Sequence, residues 1–233
     1  MRAIVFLFCL LGFAVRAAEN SPRTCRIVFP SAPQDAPGKL HLFDGEASQE
    51  VELPQWNFSP VYKVRPGAVT LALLPAAPPA PAAPGAAIPI PAGAPKVAIG
   101  EGIGDFYLIV SSDPSNKVAP VKMQVINADS SKFKRGQMLW CNLTRNRVGG
   151  KVGSRNLLIE PNSRLILDSP ATRMEDYHVN IRYILPGKEQ SEPVCETNWP
   201  YDPRTRGVFF IVNPPAGLVP RIMGFSDFRE AAE

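Results

Sequence analysis

Apolar and polar residues alternate with period two in one segment of this chain after another. In VKMQVI (Val121–Ile126), Val121, Met123 and Val125 fall on one face and Lys122 and Gln124 on the other. That is the pattern of a half-buried β-strand. KLHLF (Lys39–Phe43) places Leu40 and Leu42 on one face and His41 opposite, and EVEL (Glu50–Leu53) alternates too. Further strands are predicted at RIVF (Arg26–Phe29), VYKV (Val61–Val64), AVTLALL (Ala68–Leu74), Lys96–Ile99 and DFYLIV (Asp105–Val110). The second part of the chain continues with MLWCNL (Met138–Leu143), NLLIE (Asn156–Glu160), RLILD (Arg164–Asp168), HVNIRYIL (His178–Leu185) and GVFFIV (Gly207–Val212). Turn chemistry separates them: Asp44-Gly45, Arg65-Pro66-Gly67 and Asp113-Pro114. VGGKVG (Val148–Gly153) reads as a glycine-rich hairpin or bulge. The glycines of GEGIGD (Gly100–Asp105) precede a strand, so they read as a turn with positive φ, not as a dinucleotide fingerprint. No amphipathic helix is predicted in the body of the chain. The tail SDFREAAE predicts a short helix with Ser226 as N-cap.

Many short strands punctuated by Pro and Gly predict an all-β protein of sandwich architecture. Between Leu74 and Lys96 the pattern stops, and the stretch 75–95 is almost entirely Pro, Ala and Gly. As a linker it would leave a first domain too small to bury a core, so it is read as a loop inserted between strands of one sandwich. A semi-rigid polyproline spacer is the alternative. The polar stretch NADSSKFKRG (Asn127–Gly136) marks the domain boundary instead. The expected organisation is a signal peptide at 1–17, a β-sandwich over 18–130 and a second over 131–233.

The start, MRAIVFLFCLLGFAVRA, has a basic residue, an apolar run and small residues at Val15 and Ala17, the layout of a secretory signal. Removing it takes Arg2 and Arg16 from a chain of net charge +4, leaving a nearly neutral mature protein whose overall charge names no partner. The distribution is more informative. No acidic residue lies between Asp129 and Glu160, where Lys132, Lys134, Arg135, Arg145, Arg147, Lys151 and Arg155 cluster. Such a group attracts an anionic surface. In an exported protein the expected surface is an anionic envelope polymer or lipid headgroups, not nucleic acid. Three cysteines remain after the signal, Cys25, Cys141 and Cys195. At most one bridge forms among them, and Cys141 with Cys195 is the favoured of three pairings because both lie in the second part of the chain.

Candidate chemistry is sparse. Glu175, Asp176 and His178 put three potential ligands within four residues, the basis of an alternative reading as a hydrolase. There is no P-loop, GxSxG or HExxH, and no cofactor is expected. Trp56 and the group Trp199, Tyr201, Arg204 and Arg206 are candidate platforms for a sugar ring or an anion. Asn57-Phe-Ser59 and Asn142-Leu-Thr144 fit the glycosylation sequon.

SAPQDAPGKLHLFDG (Ser31–Gly45), followed by VRPGAVTLAL (Val64–Leu73), resembles bacterial secreted immunoglobulin-like modules of uncharacterised function. Those carry an S-P-x-A-P stretch before one strand and a P-A-G turn before the next; here the first motif is altered and the turn is R-P-G. The resemblance implies immunoglobulin-like antiparallel sandwiches and brings no active site. The expectation is therefore an exported, non-enzymatic binding or structural protein of the envelope or extracellular space, with carbohydrate binding through exposed tryptophans as an alternative. Its partner is expected to be an anionic envelope polymer, a glycan or another protein.

Overall fold

The computed structural model of the protein describes residues 23–79, 88–185, 191–213 and 219–228. The expected signal peptide, the middle of the Pro/Ala stretch and the last five residues of the chain lie outside them. Sixteen strands and no helix occur among the described residues. The first half of the chain holds β1 (Arg23–Val28), β2 (Lys39–Phe43), β3 (Ser48–Glu52), β4 (Tyr62–Val64), β5 (Val69–Leu74), β6 (Lys96–Ile99), β7 (Asp105–Ser112) and β8 (Val121–Asn127). The second holds β9 (Met138–Asn142), β10 (Arg147–Val152), β11 (Arg155–Ile159), β12 (Arg164–Leu167), β13 (Glu175–Ile184), β14 (Ser191–Tyr201), β15 (Arg206–Val212) and β16 (Arg221–Asp227). Ser226 and Asp227 thus extend a strand, which corrects the expected helix N-cap. The cause is the pairing of Ser226 with Gly207 and Asp227 with Arg206 on β15.

Each half is a pair of four-stranded sheets, and the second repeats the first strand for strand. The inner sheets run β4-β1-β7-β8 and β12-β9-β15-β16; the outer sheets run β3-β2-β5-β6 and β11-β10-β13-β14. The sheets are not wholly antiparallel as expected. β1 runs parallel to β7, and β9 parallel to β15.

Period two explains the layers. Cys25, Ile27, Phe106, Leu108 and Val110 point from the inner sheet to Leu40, Leu42, Leu71 and Leu73 of the outer sheet, forming the first core. Trp140, Val148, Val179, Ile181 and Ile211 form the equivalent core of the second half. The alternate residues of the inner sheets are apolar as well. Val28, Tyr107, Ile109 and Ile126 meet Leu139, Cys141, Val208, Phe210 and Phe225 in a third core between the halves. The inner sheets are therefore covered on both faces, so that all of Met138–Asn142 is buried. The result is a stack of four sheets, outer, inner, inner and outer.

β5 and β6 are antiparallel neighbours, with Val69 opposite Ile99 and Ala72 opposite Lys96. The Pro/Ala stretch between them leaves and re-enters one sheet. Its described return segment packs Ile88, Ile90 and Ala94 over Phe43, Ala72 and Leu74 on the solvent side of that sheet, and the Ile88 amide donates to the Gly45 carbonyl at 3.2 Å.

Two buried polar centres fix the ends of the strands. Arg23 is 2% exposed and donates to the carbonyls of Ile103 and Gly67 at 2.7 Å and of Gly100 at 2.8 Å. The GEGIGD segment turns as expected, with the Ile103 amide donating to the Gly100 carbonyl at 3.3 Å, but none of Gly100, Gly102 and Gly104 has the expected positive φ; carbonyls of this segment serve Arg23. The second centre is Asp227, whose side chain is fully buried between the halves. Its Oδ2 accepts from Arg206 Nη2 at 2.6 Å and from the Tyr107 hydroxyl, and its Oδ1 accepts from Arg26 Nη1 at 2.9 Å. Arg206 Nη1 also donates to the carbonyls of Ala128 at 2.6 Å and Phe133 at 3.1 Å. One carboxylate thereby joins β1 and β7 of the first half, the connecting segment, and β15 and β16 of the second.

Removing one partner of a buried ion pair strands the other charge and costs ~3–5 kcal/mol. Asp227→Asn is expected to lose about that much stability in urea unfolding. A loss below about 1 kcal/mol, the range of an exposed pair, would contradict this role.

Candidate functional site

At one end of the second sandwich four connections meet: the segment before β9, the β10–β11 turn, and the β12–β13 and β14–β15 loops. Between them opens a cleft of about 410 Å³ lined by Arg135, Gly136, Ser154, Arg155, Ser169, Thr172 and Tyr201, with Pro170, Ala171 and Pro203. Each wall has a local cause. Val152 pairs with Arg155 across Gly153-Ser154, a two-residue hairpin loop with Gly at its first central position, where positive φ is needed. Gly153 has φ 57°. The paired residues Val152 and Arg155 lie on the same face of the sheet. Val152 enters the core, and Arg155, beyond the core's edge, reaches over the end of the sandwich. Gly136 has φ 78°, and a Cβ there would lie 2.6 Å from the Tyr201 hydroxyl and 3.1 Å from Ser169 Oγ. Only glycine lets the connecting segment close against Tyr201, whose hydroxyl donates to the Gly136 carbonyl at 3.2 Å.

The cleft is positive. Arg155 has no ion-pair partner among the described residues. Two of the acidic groups near it in sequence are ion-paired, Asp202 with Arg204 at 2.7 Å and Glu175 with Arg173 at 3.1 Å, whereas Asp168 accepts from the neutral Gln137 amide at 3.0 Å and keeps its charge. The Arg204 guanidinium and backbone amide hold the Asp202 carboxyl down to about 2, so that pair stays ionised and self-compensated at any working pH. Two guanidinium groups with the hydroxyls of Ser154, Ser169 and Thr172 form a donor-rich site for an anionic group.

Of the predicted basic residues, Arg135 and Arg155 are brought together here. Lys132 and Lys134 are exposed on the connecting segment and Arg145 on the β9–β10 turn. Arg147 pairs with exposed Glu160 at 2.9 Å, and Lys151 alternates onto the solvent face of the outer sheet. The expected Trp199–Arg206 platform is corrected. Trp199 is half-buried in a stack, 5.3 Å from Phe209 and 5.9 Å from Trp140. Tyr201 is buried, Arg204 is spent on Asp202, and Arg206 belongs to the seam between the halves. Trp56, 74% exposed, is the one tryptophan left at the surface. Asn142 does not behave as a sequon asparagine: it is buried, and its amide donates to the carbonyls of Asn146, Ile159 and Glu160.

Strand alternation also separates Glu175 from Asp176 and His178. Glu175 shares a face with buried Tyr177, whereas Asp176 and His178 face solvent. His178 Nδ1 lies 3.2 Å from the Asn198 side-chain oxygen. Among the described residues no three His, Cys, Asp or Glu side chains are placed to hold a metal ion. Among the described residues the Cys141–Cys195 bridge does not form, and both are thiols. Cys141 lies in an inner sheet and points into the seam, whereas Cys195, on the edge strand of the outer sheet, packs against the second core. No family model matches the chain, and no curated protein matches it. No helix among the described residues is long and apolar enough to cross a membrane.

Burial pushes the Cys141 thiol up to about 12 and also raises that of half-buried Cys195. The thiolate is the reactive form. Alkylation of the native protein at neutral pH, read by mass spectrometry, is expected to modify Cys195 well before Cys141 or Cys25. Equal rates would contradict the assigned layers.

Proposed function

We propose that this is an exported, non-enzymatic binding or structural protein of the cell envelope or extracellular space, and that it holds an anionic group of a polymer in the Arg135–Arg155 cleft. The observation that carries this reading is the placement of Arg155, which has no ion-pair partner among the described residues, beside Arg135 on a hydroxyl-lined cleft built from segments about twenty residues apart in sequence. The signal-like start supports export. The immunoglobulin-like reading of each half rests on two facing sheets with the first strand parallel to the seventh.

The test is retention of the purified mature protein on envelope fractions at low and high salt, with an Arg135→Glu/Arg155→Glu variant alongside. Retention is expected to fall as salt screens the contact and to drop about tenfold or more in the variant, the equivalent of ~1.4 kcal/mol. Salt-independent retention, unchanged in the variant, would overturn the reading. A second reading, sugar binding through Trp56, rests on that ring's exposure. It predicts that Trp56→Ala abolishes glycan retention that charge reversal leaves intact.

A further inference from the structure

A second cavity lies in the seam, away from the cleft, on the side where the edge strands β8 and β12 approach each other. It measures about 370 Å³, at the small end of small-molecule sites. Its apolar side comes from both halves: Ile109 and Ile126 from the first, Leu143 and Phe210 from the second. The rest of the lining is polar, with Gln124 from β8, Asn162 and Ser163 from the turn before β12, and Arg164 from β12. Arg164 reaches across the seam, its Nη1 3.4 Å from the Val125 carbonyl. It has no carboxylate partner among the described residues, and the nearby Glu160 carboxylate is taken by Arg147 at 2.9 Å. A cavity with one apolar side, one polar side and a single cation between them orients an amphipathic ligand.

We propose that the seam cavity binds an amphipathic carboxylate, with its acyl chain between Ile109, Ile126, Leu143 and Phe210 and its carboxylate on Arg164. This site is independent of the Arg135–Arg155 cleft. Cys141, which also lines the cavity, supplies an internal reporter.

The test uses the full mature chain with octanoate as probe and octanol as the uncharged comparison, read by calorimetry and by alkylation resolved for each cysteine. Octanoate is expected to bind saturably and to slow alkylation of Cys141. Arg164→Gln, on an exposed side chain, is expected to weaken octanoate about tenfold or more, in line with a hydrogen bond to a charged group. It should leave octanol unaffected. Gln124→Trp, which plugs the mouth from another exposed position, is expected to abolish binding of both. Absence of saturable octanoate binding at millimolar concentration overturns the proposal. So does octanoate binding that Arg164→Gln leaves unchanged.

Discussion

A single carboxylate, Asp227, sits where the two halves of the chain meet, and the arrangement of everything else depends on its being held there. Two arginines and a tyrosine converge on it, one arginine and the tyrosine from the first half and the other arginine from the second. The apolar seam around it supplies the area, at roughly 1.5–3 kcal/mol for each large side chain fully buried. The charged cluster supplies the register. Apolar contact alone tolerates sliding, whereas a buried carboxylate must find the same donors each time. Segments joined in tandem ordinarily move relative to one another. Here an apolar seam with a buried ion cluster at its heart makes one body of four stacked sheets.

That rigidity bears on both sites. The basic cleft needs the connecting segment, which brings Arg135, to stay docked against the second sandwich. Arg206 holds that segment through the Ala128 and Phe133 carbonyls, and its guanidinium lies 5.2 Å from the Phe133 ring centre. The seam cavity exists only while the inner sheets face each other. The strand-for-strand repeat of topology explains why the seam is built from equivalent sheets. It does not make the halves equivalent in chemistry, since the cleft belongs to the second half and the connection into it.

Much of the strand pattern was legible in the sequence because a half-buried strand must alternate. What alternation concealed has identifiable causes. DFYLIV, MLWCNL and GVFFIV are nearly continuous apolar runs, the mark of strands covered on both faces, and their second face belongs to the seam. β14 was hidden by Pro193 and Pro200, which an edge strand tolerates. β16 was hidden by Gly224, where a Cβ would lie 2.9 Å from the Phe209 ring. The burial of Arg23, Arg206 and Asn142 is not legible in the sequence because it depends on acceptors brought in by the fold, for Arg23 and Arg206 mostly from distant segments. The run of basic residues was visible, but sequence proximity does not show which of them share a cleft. Strand direction and the β10–β11 turn decide that, and they select Arg135 and Arg155.

Native-state hydrogen exchange on the central inner strands tests the locked seam most directly. If the four sheets are one body, amides of β7 in the first half and β15 in the second exchange through the same opening, with the same free energy and the same dependence on urea. A lower opening free energy for one of the two strands, with its own urea dependence, would show a half unfolding alone and would contradict the account.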